Sequence, residues 1–259
     1  MIERMRFWST PIARKVPEVT AFFWIIKLLT TALGESTSDY LVNTYNPYFV
    51  VVAGLVGFVT ILVLQFRAKR YEPWTYWLTV TMVAIFGTMA ADVVHVALGV
   101  PYIVSTVCFA IMLVIVFILW RKTEGTLSIH SINTSRRELF YWATVSATFA
   151  LGTAAGDLTA YTANLGFFSA GVLFAIVFAL PALGYWLFRI NAIFTFWFAY
   201  IFTRPLGASF ADWTGKGPSA GGLGWGDGPV AAVLAICILT LVAYLHATRT
   251  DVDRHRLSN

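Results

Sequence analysis

The chain has 259 residues, of which 58% are hydrophobic and 12% are charged, and its mean hydropathy is +0.73. This composition excludes an ordinary soluble domain and predicts a polytopic membrane protein whose surface contacts the lipid bilayer. The formal net charge of +5 comes from cations in short loops, so we interpret it as a sign of membrane topology and predict no nucleic-acid partner.

Stretches of about 20 apolar residues can cross the roughly 30 Å of a bilayer's hydrocarbon core. Eight such stretches follow one another along the chain and predict an all-α integral membrane fold with eight transmembrane helices. Their approximate bounds are 19–39, 47–66, 74–97, 100–120, 139–161, 165–188, 191–212 and 229–248.

The cations of the chain lie almost entirely on one side of the predicted helices. Short loops rich in Lys and Arg stay in the cytoplasm, which predicts that both termini are cytoplasmic. Among the cations that set this orientation are Arg4, Arg6, Arg14 and Lys15 before the first span and Arg249, Arg254 and Arg256 after the last. The exceptions are Lys27, Arg204 and Lys216.

One motif occurs four times with identical spacing: an aromatic residue, Trp, nine residues, Gly, four residues and Asp. The copies are Phe23-Trp24 to Gly34 and Asp39, Tyr76-Trp77 to Gly87 and Asp92, Tyr141-Trp142 to Gly152 and Asp157, and Phe196-Trp197 to Gly207 and Asp212. Constant spacing indicates copies of one structural unit. Each copy precedes a plainer apolar span, so each unit is predicted to be a pair of helices.

These units are direct repeats in one orientation, which predicts a pseudo-fourfold arrangement about an axis along the membrane normal. We expect one transmembrane domain, residues 1–259, built from repeats at about 16–70, 71–122, 136–189 and 190–250. Residues 123–135 are expected to form a polar cytoplasmic linker between the halves. The glycine-rich segment 215–229 is either a flexible connector or a lid over the outer mouth.

A polar stripe runs along the first span at intervals of four residues. It consists of Lys27, Thr31, Glu35 and Asp39, and weaker versions occur in the other repeats with Thr88, Thr153 and Arg204. An ionised group at the bilayer centre costs at least ~2.5–3.5 kcal/mol, so such stripes face the protein interior or water. We therefore predict that Asp39, Asp92, Asp157 and Asp212 form an outer acidic site that binds a divalent metal, and that Glu35 extends it inward.

The remaining motif residues have supporting roles in this prediction. Lys27 and Arg204 are expected to compensate the acids, as structural counter-ions or by coupling protonation to ion binding. The glycines Gly34, Gly87, Gly152 and Gly207 are expected to allow close helix packing. The aromatic-Trp pairs are expected to anchor the helices at the membrane interface. An alternative is that each Asp only caps the following loop or helix.

Residue types used by most enzymes and cofactors are sparse. The two cysteines, Cys108 and Cys237, lie inside apolar spans, and neither a disulfide framework nor a thiolate metal cage is predicted. The four histidines, His95, His130, His246 and His255, show no spacing typical of haem or three-nitrogen zinc sites. No nucleophile elbow, phosphate loop or His-Glu-x-x-His sequence occurs. We expect no enzymatic activity and no cofactor beyond a possible bound divalent cation.

Three short segments open the chain: Lys15-Val16-Pro17-Glu18-Val19-Thr20, Phe23-Trp24-Ile25-Ile26-Lys27 and Thr30-Thr31-Ala32-Leu33-Gly34-Glu35. This opening resembles that of a family of uncharacterised bacterial membrane proteins. The resemblance implies a bacterial inner-membrane location and no particular activity. The short motif Gly34-Glu35-x-x-x-Asp39 is more loosely similar to the acidic motifs of manganese and calcium exporters, which usually carry two inverted copies where this chain has four direct ones.

Together these features favour the transport of a small inorganic cation. Several carboxylates in one place favour a divalent metal such as manganese, magnesium or calcium. Two alternatives remain open at this point. The acids could line a passive cation channel, or the protein could be a membrane scaffold that transports nothing, with the acids acting as helix caps.

Overall fold

The computed structural model describes residues 14–252, so Arg4, Arg6, Arg254, Arg256 and His255 lie outside the described residues. Eight α-helices fill the described part of the chain. They are α1 (Ala21–Thr44), α2 (Pro47–Arg67), α3 (Pro73–Asp92), α4 (Tyr102–Glu124), α5 (Ser135–Asp157), α6 (Gly166–Phe188), α7 (Ala192–Gly215) and α8 (Asp227–Thr248). Short π-helical turns, Val93–Ala97 and Leu158–Thr162, continue α3 and α5, and 3-10 turns occur at Ile129–Ser131 and Pro218–Ala220.

The helix ends follow from local sequence. The side chains of Thr20, Asn46, Thr134 and Asn191 accept hydrogen bonds from the first free backbone N–H groups of α1, α2, α5 and α7. These residues are favoured at helix N-termini because a short polar side chain reaches those donors. Helix α4 ends at Gly125, which has a positive φ of 72° that glycine adopts without strain.

The odd-numbered helices form a closed inner ring. Helix α1 packs against α3, α3 against α5, α5 against α7, and α7 against α1. The even-numbered helices lie outside this ring, and each packs mainly on the first helix of the next repeat: α2 on α3, α4 on α5, α6 on α7 and α8 on α1. The last repeat thus contacts the first in the same way that consecutive repeats contact each other.

Five helices of the described chain are long and apolar enough to cross a membrane, which identifies a multi-pass membrane protein. They are α2, α3 with its π turn, α4, α6 and α8. The outer helices expose many large apolar side chains, as expected for a lipid-facing surface. Helices α1, α5 and α7, with 24, 23 and 24 residues, are equally long but carry more polar residues. By length and composition, five of the described helices are therefore candidate spans, against the eight predicted.

The motif glycines allow the inner helices to approach closely. A Cβ added to any of the four would lie within 3.0 Å of one residue of the next inner helix, and that residue always occurs three positions before the partner's own glycine. The pairs are Gly34 with Ala84, Gly87 with Phe149, Gly152 with Arg204 and Gly207 with Thr31. Only a residue without a side chain fits at these four contacts.

The aromatic-Trp pairs do not lie on the lipid-facing surface, so the prediction of interfacial anchors is wrong for most of them. Every member except Trp24, which is partly exposed, is buried. The first aromatic ring of each repeat contacts the Trp of the next repeat in cyclic order. The pairs and ring-centroid distances are Phe23 and Trp77 (5.7 Å), Tyr76 and Trp142 (5.6 Å), Tyr141 and Trp197 (6.1 Å), and Phe196 and Trp24 (5.6 Å). These pairs form an aromatic layer across the bundle, worth about 0.5–1.5 kcal/mol per pair beyond burial.

Segments predicted to be cytoplasmic close this end of the bundle. Lys15 is buried and donates to Glu138 Oε2 at 2.6 Å and to the backbone oxygen of Phe66 at 2.9 Å. The linker, residues 123–135, is not only a polar connector as predicted. Its Ile129 and Ile132 are buried in the hydrophobic core of the bundle. Both segments therefore belong to the folded bundle.

Candidate functional site: an acidic cluster inside the inner ring

The four motif aspartates lie where α1, α3, α5 and α7 approach their ends opposite the aromatic layer. Carboxylate oxygens of Glu35, Asp157 and Asp212 lie within 4.8 Å of one another. Ligand atoms of Asp92, His95 and Asp157 also lie within 4.8 Å of one another, so Asp157 belongs to both groups. We call Glu35, Asp39, Asp92, Asp157 and Asp212 the acidic cluster.

Lys216 connects Asp39, the motif aspartate that belongs to neither group of ligand atoms, to the other acids. Its ammonium donates to Asp39 Oδ2 and lies 4.0 Å from Asp212 Oδ1 and 3.6 Å from Asp227 Oδ2. All four predicted aspartates are therefore brought together, though Asp39 is reached through a lysine. Burial lowers the pKa of Lys216, but the Asp39 and Asp212 carboxylates outweigh that effect and raise the pKa above its ordinary value. Lys216 thus carries a positive charge at physiological pH.

The glycine-rich segment holds Lys216 in place. The chain after α7 folds back, with backbone hydrogen bonds from Leu223 to Trp213 at 2.7 Å and from Gly224 to Lys216 at 2.8 Å. The fold-back is tight, because a Cβ on Gly222 would lie 2.1 Å from the carbonyl oxygen of Lys216. The segment is thus an ordered turn beside the acids, and both interpretations, connector and lid, stay predictions.

Arg204 lies on the inner side of the acidic cluster and joins all four repeats. It is 0% exposed, and its Nη2 donates to Glu35 Oε2, to Thr88 Oγ1 at 2.6 Å and to Thr153 Oγ1 at 2.7 Å. Glu35, Thr88 and Thr153 each follow the motif glycine of their repeat, and Ala208 takes that position in the fourth. The guanidinium therefore fills the space between the four inner helices.

Lys27 was predicted to compensate the acids together with Arg204, and its surroundings are different. Among the described residues its ammonium has no hydrogen-bond partner and no carboxylate within ion-pair distance. It lies 4.0 Å from the ring centroid of Phe149 and 4.4 Å from that of Tyr200. Lys27 is thus held by two aromatic faces, which attract a cation through their quadrupoles.

The three supporting threonines divide into two groups. Thr88 and Thr153 accept hydrogen bonds from Arg204 and so belong to the site. Thr31 instead donates to the carbonyl oxygen of Leu28 at 2.6 Å and packs against Gly207. Its position one turn nearer the aromatic layer makes it a packing residue.

The sequence pattern does not single out His95 or Lys216 as site residues. His95 follows Asp92 by three residues, a spacing that places two side chains on one face of a helix. That spacing occurs in one repeat only, so the fourfold pattern did not reveal it. Lys216 follows Asp212 by four residues, but its reach to Asp39 depends on how α1 and α7 pack.

One family model matches the chain four times, at residues 22–71, 75–126, 140–191 and 195–251, and it is described as a Repeat of Unknown Function, DUF347. The chain belongs to the DUF347 family. Each DUF347 repeat contains one inner and one outer helix, so the family's unit is the helix pair of this fold. No curated protein and no solved structure matches the chain. Membership of an uncharacterised repeat family is consistent with the predicted resemblance, while the specific opening motif and the likeness to exporters stay predictions.

Proposed function

We propose that this DUF347 protein transports a small inorganic cation, most favourably a divalent metal, through the acidic cluster. The observation that carries the proposal is that equivalent aspartates of four repeats meet beside one buried glutamate. Acids near the C-terminal ends of helices oppose the helix dipole, at a cost of roughly 0.3–1 kcal/mol each. Five carboxylates grouped in this way repel one another unless cations lie beside them, and a transported cation would be one such partner.

The proposal includes a membrane arrangement. All eight helices cross a bacterial inner membrane with both termini in the cytoplasm, and the four repeats are related by a pseudo-fourfold axis along the membrane normal. The cyclic packing of inner helices and the cyclic glycine contacts support that symmetry. The polar residues of α1, α5 and α7 face the bundle interior, which would offset the cost of placing them in a membrane.

The two cations bound to the cluster would have different roles in transport. Lys216 occupies the side of Asp39 and Asp212, where an incoming cation would compete with it for the same oxygens. Arg204 holds Glu35 and closes the space behind the cluster. A guanidinium fixed among all four inner helices would repel cations moving along that space, so an alternating transporter fits better than a passive channel.

Flux into proteoliposomes tests the proposal. Purified protein would be assayed with manganese, magnesium, calcium, potassium and protons, with and without a pH gradient. Wild type should move one of these ions, and Asp92→Asn and Asp157→Asn should abolish that flux while the proteins remain folded. Glu72→Gln is the matched control, because Glu72 precedes α3 at the opposite end of the bundle and contacts His246. Flux that neither aspartate variant reduces, or no flux of any ion, would favour the scaffold alternative.

A further inference from the structure

The acidic cluster is not equivalent in its four repeats, because one repeat adds an imidazole. His95 lies in the π-helical turn after α3 and is 8% exposed. Its Nδ1 has no hydrogen-bond partner among the described residues and lies 3.8 Å from Asp157 Oδ2, beyond hydrogen-bond distance. The buried nitrogen thus lies near the Asp157 carboxylate without bonding to it, and a carboxylate oxygen of Asp92 belongs to the same group of ligand atoms.

The other ring nitrogen of His95 has a hydroxyl partner that suits the metal-binding tautomer. Nε2 lies 2.5 Å from Ser105 Oγ, and the Ser105 hydroxyl is itself within 3.0 Å of the carbonyl oxygen of Tyr102. Metal binding through Nδ1 requires the proton on Nε2, where the Ser105 hydroxyl can accept it and donate its own hydrogen to the carbonyl oxygen of Tyr102. In that tautomer the lone pair of neutral His95 is on Nδ1, beside the carboxylate of Asp157.

The imidazole plane is also held. The ring of Tyr102 contacts that of His95 edge to face, with centroids 4.4 Å apart and an interplanar angle of 67°. Metal-binding histidines commonly donate their second nitrogen to an oxygen, which sets the tautomer and the ring orientation. Ser105, which is 2% exposed, occupies that position here.

From this geometry we infer that Asp92, His95 and Asp157 form a binding site for a first-row transition-metal dication, with one nitrogen and two oxygen ligands. The inference rests on the proposed function and narrows its substrate class. Imidazole nitrogen suits transition metals, whereas magnesium and calcium take oxygen ligands almost entirely. The site therefore selects a metal of the Mn²⁺, Fe²⁺, Co²⁺ or Zn²⁺ class against the more abundant Mg²⁺ and Ca²⁺.

The dimensions of the site suit such an ion. Ligand atoms around a metal of this class are roughly 3 Å apart when adjacent and roughly 4.2 Å apart when opposite. The three ligand atoms lie within 4.8 Å of one another, so small side-chain rotations would close them around the metal. Asp157 is shared with Glu35 and Asp212, and it provides a route for the ion from the site with the imidazole to the deeper carboxylates.

Pulsed EPR of Mn²⁺ bound to the full-length protein in detergent tests the inference, because electron-spin-echo modulation detects a directly bound nitrogen nucleus. Wild type should show that modulation, and His95→Gln should lose it together with at least about tenfold of the Mn²⁺ affinity. The Mg²⁺ affinity should stay within about twofold in His95→Gln, since oxygen ligands remain. His246→Gln, on the opposite end of the bundle, should match wild type.

A second variant covers the case in which His95→Gln does not fold. Ser105→Ala keeps all three ligands and removes only the acceptor that orients the ring, so the Mn²⁺ affinity should fall by about 10–100-fold. Bound Mn²⁺ without nitrogen modulation in wild type would overturn the inference, as would equal Mn²⁺ and Mg²⁺ affinities. Loss of flux in Asp92→Asn without nitrogen modulation would leave the transport proposal standing and remove only this site. Nitrogen modulation without any flux would leave the metal site and remove the transport proposal.

Discussion

At the scale of single residues, Arg204 and Glu35 form a buried ion pair on which the inner ring depends. Removing one member of a buried pair leaves an uncompensated charge and costs about 3–5 kcal/mol. We expect Arg204→Met, which keeps most of the side-chain volume, to lower the free energy of unfolding by about that amount. The double variant Glu35→Gln and Arg204→Met should recover most of the loss, since neither member of the pair is then left charged without the other. Thermal unfolding in detergent measures both, and a double variant as unstable as the single one would contradict this account.

For Lys27 we expect the opposite effect of substitution on stability. Its ammonium is buried between two rings, and in the described part of the chain cation–π attraction of about 2 kcal/mol is all that offsets this burial. The effective penalty for burying an ion is several kcal/mol, which is larger. We expect Lys27→Met to leave the midpoint of thermal unfolding unchanged or to raise it. A fall as large as that of Arg204→Met would mean that Lys27 has a charged partner.

At the scale of helices, the motif glycines set the distance between neighbouring repeats. Helix α5 offers a matched pair: a Cβ on Gly152 would lie 2.5 Å from Arg204 Cβ, whereas a Cβ on Gly156 would lie 3.8 Å from Pro205. Gly152→Ala should therefore lower the free energy of unfolding by about 1–3 kcal/mol through overpacking. Gly156→Ala should be neutral or gain up to ~1 kcal/mol from helix propensity. Equal effects of the two substitutions would contradict the close contact between α5 and α7.

How far the sequence predicts this fold differs between helices and loops. Exact spacing in four copies predicted the helix pairs and the aspartates that meet, because one unit repeated four times places equivalent residues alike. The position of Lys216 follows from the loop after α7. His95 lies in a π-helical turn that also follows α5, but a histidine occurs there in one repeat only. Among the described residues Lys27 has no carboxylate partner, and Glu35 pairs with Arg204 instead. Burial of the aromatic pairs depends on the closing of the ring, which periodicity alone does not predict.

At the scale of the whole molecule, the proposed topology predicts which segments face each side of the membrane. In a background with Cys108 and Cys237 replaced by Ala, Ser219→Cys should react with a membrane-impermeant maleimide in intact cells. Lys122→Cys should react only after the membrane is disrupted. Both positions are exposed, so access to the reagent is the only difference between them. The reverse labelling pattern would show that the orientation derived from the cations is wrong.

The central claim is that the carboxylates of the acidic cluster are the path of a transported cation, and Asp157 tests it most directly because it belongs to both groups of ligands. The decisive measurement is Mn²⁺ flux into proteoliposomes containing wild type, Asp157→Glu or Asp157→Asn. We predict flux in wild type, reduced flux in Asp157→Glu, which keeps the carboxylate at a shifted position, and none in folded Asp157→Asn. Equal flux in wild type and Asp157→Asn would contradict the account.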